Sequence, residues 1–225
     1  MSFLRQATAV LRKDLLIEAR TRQAVPSMAF FAGLVLLILG FALGPDTEAV
    51  RRAAPGLLWI AVVFTSVLGL ARAYDTEREN RGMEGLFQYP GTRTAVFAGK
   101  LAGLLLLLLS VEALLFTGGA LLYDLDLARV ALPLAGVALL GTVGLAGIGT
   151  LYGALTLNLR AREVLLPLLM FPLVVPVVLG SVSATRLLLA GDPFGELDAW
   201  VRLLVAYDVV FTVAPLLAFE HVLAD

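Results

Sequence analysis

Residues 96–123 read VFAGKLAGLLLLLLSVEALLFTGGALLY, and this stretch decides the class of fold. It runs 28 residues with two charged side chains, Lys100 near its start and Glu112 near its middle. Six leucines stand in an unbroken row at 104–109. A helix needs about 20 apolar residues to cross a bilayer core. No soluble helix has a use for so long an apolar run on every face.

Five further stretches qualify as spans or nearly so: 27–44, 55–73, 130–157, 164–181 and 200–223. Gly44-Pro45 closes the first of them. The composition agrees with six spans. Of 225 residues, 60% are hydrophobic and only 16% charged, and mean hydropathy is +0.91. Soluble domains carry roughly 25% charged residues. The expected fold is an all-α integral membrane protein, with residues 1–225 forming one transmembrane domain.

The loops orient it. Five basic residues precede the first span (Arg5, Arg12, Lys13, Arg20, Arg22). Arg72, Arg78, Arg81, Arg93 and Lys100 lie between spans two and three, and Arg160 and Arg162 between four and five. That places twelve basic residues on one side, against five on the other (Arg51, Arg52, Arg129, Arg186, Arg202). The positive-inside rule makes the twelve cytoplasmic, and with six spans both termini are cytoplasmic. The basic N-terminus has no early apolar run or small-residue cleavage site, so the first span is expected to be retained.

The N-terminal segment, 1–24, is not a span. Phe3, Ala7, Val10, Leu11 and Leu15 recur at helical spacing, with Arg5, Arg12, Lys13 and Arg20 opposite. This pattern predicts a helix lying in the membrane interface. It serves either as a topology anchor or as an elbow that feeds span one and braces a partner.

The connection at 74–94 exceeds the two to eight residues usual between helices. Residues 74–90 read YDTERENRGMEGLFQYP. The charged first part can continue span two as helix. Gly82 can end that helix with a left-handed cap. Met83, Leu86 and Phe87 then make a short apolar knob beside Glu84, and Pro90-Gly91 turns the chain. Such a knob suits docking into a groove on a partner. A solvated charged loop with its apolar residues among lipid headgroups fits the same letters.

Glu112 and Asp208 are the candidate intramembrane polar sites. Carboxyls at that depth are costly and usually face a bundle interior, a partner or a water path. They either line a substrate path or are held neutral or hydrogen-bonded to Ser or Thr on a neighbouring helix. Gly136, Gly141, Gly144, Gly147, Gly149 and Gly153 give span four small faces for tight packing. Pro167, Pro172 and Pro176 mark span five for a hinge or a fixed bend.

Other chemistries lack their residues. There is no cysteine, hence no disulfide or thiolate site, and the single histidine is His221. A histidine metal cluster cannot form within one chain. A net charge of -1 carries no nucleic-acid footprint. No Gly-x-x-x-x-Gly-Lys-Ser/Thr, Gly-x-Ser-x-Gly or His-Glu-x-x-His pattern occurs. Neither catalytic, cofactor nor metal residues are expected, and ATP-driven work requires a separate subunit.

Several segments together resemble one family. Arg12-Lys13-Asp14-Leu15-Leu16 with Glu18 and Arg20 is similar to the opening helix of CcmB proteins. These are the permeases of the ABC transporter of cytochrome c maturation, also called haem exporter protein B. Ala54-Pro55-Gly56-Leu57-Leu58-Trp59-Ile60-Ala61 resembles the start of that family's second span. Arg72, Gly82-Met83-Glu84, Leu86, Pro90 and Lys100 resemble its first cytoplasmic loop. Leu165-Leu166 and Pro172-Leu173-Val174-Val175-Pro176 are similar to its fifth span.

The resemblance implies an ABC-2-type permease acting as a homodimer in the bacterial inner membrane. It implies a separate ATPase, CcmA, coupled through Glu77, Arg81, Gly82, Met83, Glu84, Leu86 and Phe87. CcmC and CcmD would complete the membrane complex and the haem chaperone CcmE would be its client. ATP would enter through the partner, and haem would be handled by the complex. Two alternatives are an ABC-2 exporter permease for another substrate and a proton-coupled carrier using Glu112 and Asp208. The carrier predicts an inverted internal repeat, and none is evident.

Overall fold

The computed structural model describes residues 3–79, 93–155, 162–192, 194–213 and 215. All secondary structure among them is helical. In chain order the helices are α1 (Phe3–Thr21), α2 (Ala24–Ala42), α3 (Thr47–Glu79), α4 (Arg93–Tyr123), α5 (Ala131–Leu155), α6 (Arg162–Ala190) and α7 (Leu197–Asp208). A 3₁₀ turn, Ala128–Val130, leads into α5, and a π-helical turn, Val209–Val213, continues α7.

Helices α2 to α6 are each long and apolar enough to cross a membrane. The sixth span, expected at 200–223, is described only in part. Helix α7 has 12 residues, too short to span alone, and residues 216–225 lie outside the described residues. Five spans are therefore present among the described residues.

The helix of the fifth span extends beyond the stretch read from the sequence. This helix, Arg162–Ala190, contains the expected 164–181 and runs on to Ala190. The hydroxyls of residues 181–185 suggest a polar end, but two of the three are inside. Ser181 and Thr185 are fully buried, and Thr185 accepts a hydrogen bond from Trp59 Nε1 at 2.9 Å. A paired hydroxyl is tolerated in a bundle where an unpaired one is not. Helix α6 is continuous through Pro172 and Pro176.

Helix α5 packs on α3, α4, α6 and α7. Its small residues allow this. A Cβ on Gly141 would meet the Trp59 ring and, at 2.5 Å, Ser181 Oγ. Gly147 backs onto the Phe211 carbonyl in the π-helical turn, where a Cβ would come within 2.9 Å of the oxygen. Gly136, by contrast, has nothing within 4 Å of its Cβ position, so it plays no part in the packing face. Trp59 is fully buried and meets Phe116 edge-on at 6.0 Å between ring centres.

One end of the bundle is fastened by local polar contacts. Tyr123 donates to the Leu36 carbonyl at 2.7 Å, and Arg51 pairs with Asp124. Gly44, at φ +75°, takes the left-handed turn expected at the end of the first span. The opposite end carries α1.

Candidate functional site

The structure holds two polar centres, one beneath α1 and one deep in the bundle.

Helix α1 is an elbow docked against the start of α4. The approach is close at Gly99, where a Cβ would lie 2.6 Å from the Ala7 carbonyl oxygen. Of the expected apolar face, Ala7, Val10 and Leu11 turn inward and Phe3 and Leu15 do not. Ala7, Val10, Leu11, Asp14 and Glu18 lie toward the protein, whereas Phe3, Leu4, Leu15 and Leu16 are exposed. Two carboxylates therefore enter the contact. Asp14 pairs with Lys100 Nζ at 3.0 Å, and Lys100 is only 7% exposed. Glu18 Oε1 accepts from the backbone N–H groups of Ala24 and Val25, both at 3.1 Å.

That second contact shapes the elbow. The first N–H groups of a helix lack intrahelical partners and carry partial positive charge. Glu18, on the preceding helix, satisfies two of them for α2. The chain turns at Arg22, in the left-handed region at φ 49°. Arg72, from α3, donates to the Gln23 carbonyl at 3.3 Å. Elbow, first span and second span are thus tied at one corner. A cavity of about 500 Å³ opens beneath it.

The deep centre includes Glu112. It is 4% exposed and accepts a hydrogen bond from the Thr142 hydroxyl through Oε2. Asp208, the last residue of α7, is also buried. Its Oδ1 would lie 3.0 Å from a Cβ on Gly144. Tyr207 stacks on Phe211 at 4.4 Å between ring centres and donates to the Leu173 carbonyl. Glu112 Oε1, Ser181 Oγ and Asp208 Oδ1 have no hydrogen-bond partner among the described residues. Glu112 is held from Thr142, and Ser181 and Asp208 lie against Gly141 and Gly144. All three therefore belong to contacts of a single turn of α5.

Because Glu112 accepts rather than donates in this contact, a glutamine can replace it. Glu112→Gln is expected to change stability by less than about 1 kcal/mol. Thr142→Val removes the donor from a buried carboxyl and is expected to cost about 2 kcal/mol. Denaturant unfolding in mixed micelles measures both.

The expected coupling residues Arg81, Gly82, Met83, Glu84, Leu86 and Phe87 lie outside the described residues, as does His221. Glu77 is placed on the last turns of α3, by backbone only. No group of three or more metal-ligating side chains occurs among the described residues. The residues that sequence reasoning missed are Asp14 and Glu18 as inward groups, and Thr142 and Thr185 as hydrogen-bond partners.

Five packed helices long and apolar enough to cross a membrane, with a shorter helix docked at one end, define a multi-pass membrane protein. The family model described as CcmB protein matches residues 5–224, and the chain belongs to that family. It is a transmembrane permease of cytochrome c maturation, a transport component rather than a known enzyme, and it works with other components of that system. No curated protein matches the chain at a significant level.

Proposed function

We propose that this chain is the membrane half of an ABC transporter whose ATPase, CcmA, docks on residues 74–94. The observation that carries the proposal is the length of α3. Its membrane-crossing stretch ends at Ala73, yet the helix continues to Glu79. Helix α4 begins at Arg93 on the side that carries α1, so the chain between Glu79 and Arg93 connects these two helices. The extension bears Asp75, Glu77, Arg78 and Glu79, charges suited to an aqueous partner rather than to lipid.

In sequence, Met83, Leu86 and Phe87 are the apolar residues of this connection beside Glu84, preceded by Arg81 and Gly82. A push there travels along two helices. Helix α3 carries Trp59 into the core, and α4 carries Lys100 and the elbow docked on it. The basic residues gathered at this end support a cytoplasmic face with both termini inside, in the bacterial inner membrane. In the assembled machine two copies of the chain pair with CcmA, CcmC and CcmD. ATP hydrolysis then drives haem delivery or release of haem-loaded CcmE.

Leu86→Asp places a charge in the proposed docking knob. It is expected to weaken capture of CcmA from mild detergent about tenfold or more, as loss of a central apolar anchor does. Membrane insertion should be unchanged. Equal capture by wild type and variant would remove the docking role. No capture by well-folded wild type, even with the ATPase trapped in its ATP state, would remove the ABC assignment.

A further inference from the structure

Helix α1 carries four basic side chains and two acidic ones, and the fold turns both acidic ones inward. Asp14 is held by Lys100, and Glu18 by the N–H groups that begin α2. Lys13 shares Asp14, at 3.3 Å. The outward side of the helix is left with arginines that no carboxylate of α1 offsets. Arg5 and Arg12 stand seven residues apart, about two helical turns, and so share a face. Arg20 lies in the last turn, and Arg22 in the bend that follows. All four are exposed, and none has an ion pair or a side-chain hydrogen bond among the described residues.

The depth of the helix limits what can cover them. The apolar part of α4, Thr94–Tyr123, has 30 residues. That is about 45 Å of helix, the full bilayer with its headgroup layers. Thr94 then stands at the outer edge of the headgroups. Helix α1 meets α4 at Gly99 and again at Gly103, where a Cβ would lie 3.4 Å from Asp14 Oδ2. These contacts are five and nine residues in from Thr94, about 8 and 14 Å along the helix. The elbow therefore lies where headgroups give way to acyl chains, not above the bilayer.

Its other exposed side chains agree. Leu4 is 71% exposed, and Phe3, Leu15 and Leu16 are exposed too. Four large apolar side chains on one helix suit the interface, where acyl chains cover them. An acidic protein in the aqueous phase would stand too high to reach them. Arginine, by contrast, can lay its stem on apolar surface and lift its charge to the headgroups.

We infer that the outward face of α1 is a docking surface for anionic phospholipid headgroups, gathered by Arg5, Arg12, Arg20 and Arg22. The guanidinium fork matches phosphate oxygens. A zwitterionic headgroup has the phosphate but adds an ammonium that arginines repel, so the face selects lipids of net negative charge. Leaflet charge then holds down the elbow and the corner that Glu18 and Arg72 tie to the first two spans. Whether or not an ATPase docks on 74–94, α1 keeps this place by its own contacts.

The chain has no cysteine, so Ala9→Cys, exposed between Arg5 and Arg12, gives a single labelling position for a fluorophore. The labelled full chain is reconstituted in phosphatidylcholine vesicles with a trace of spin-labelled phosphatidylglycerol or spin-labelled phosphatidylcholine. The anionic quencher is expected to act about fivefold more strongly, the enrichment that one basic side chain near a charged surface confers. The ratio should fall toward one when Arg5, Arg12 and Arg20 are all replaced by Gln. It should fall likewise in about 1 M salt, where the screening length is about 3 Å. The salt arm keeps all four arginines, so it decides the matter if the triple variant fails to fold. Equal quenching by the two lipids at low salt would overturn the inference. So would a preference that a folded triple variant keeps, or that salt leaves unchanged. Quenching by neither lipid would overturn it as well, and would favour an acidic protein as the cover.

Discussion

Asp14→Ala is expected to destabilise the chain by about 3 kcal/mol, the low end for breaking a buried ion pair. The cost comes from what is left behind. Lys100 is 7% exposed, and its ammonium lies 3.0 Å from Asp14 Oδ2. Removing the carboxylate keeps a cation out of water without the Asp14 charge that pairs with it. Asp14 itself is 22% exposed in its side chain, so solvent softens the loss and the low end applies. The double variant Asp14→Ala with Lys100→Met removes both charges and keeps the length of the side chain. It should recover most of the loss, because an apolar replacement of a buried pair is often neutral. Unfolding in mixed micelles, run as a double-mutant cycle, reads the coupling directly. Equal destabilisation by the single and double variants would show that Asp14 acts through packing against Gly103, not through charge.

The elbow also shows where sequence reading reached and where it stopped. That residues 1–24 form an amphipathic helix outside the spans is legible, because apolar spacing is a local property. Which face turns inward is not local. The inward position of Asp14 depends on Lys100, 86 residues later, and that of Glu18 on the bare N–H groups that begin α2. Charges on a helix in isolation read as its solvent side, and only a partner elsewhere in the chain reverses that. The spans behave the same way. Five of them follow from apolar length, but the fifth helix runs past 181 to Ala190, where Thr185 is satisfied by Trp59, 126 residues away. Glu112 stands out in any reading of 96–123, since a carboxyl in a row of leucines is conspicuous. Its partner Thr142 does not, because threonine is common in membrane helices and carries no mark of pairing.

Span four makes the same point in energetic terms, and there two glycines that look alike should respond with opposite sign. Gly136→Ala is expected to stabilise the chain by about 0.5–1 kcal/mol. Gly136 is exposed with nothing within 4 Å of its Cβ position, so the change only relieves the poor helix propensity of glycine. Gly141→Ala gains the same propensity but is expected to lose about 2 kcal/mol net, since overpacking typically costs 1–3 kcal/mol. Its Cβ would sit 2.5 Å from Ser181 Oγ and 2.7 Å from Trp59 Cζ3. The ring cannot yield easily. Trp59 is fully buried, tied at Nε1 to Thr185 and backed by Phe116. Relief must come from moving α3 or α6 away from α5, which loosens contacts along both helices. Thermal unfolding of the two variants in one detergent tests this by sign alone, so absolute stabilities are not needed. Shifts in the same direction would mean that α5 is not closely packed at Gly141. Opposite shifts would place the tight contact at Gly141, the turn where Glu112, Ser181 and Asp208 also meet α5.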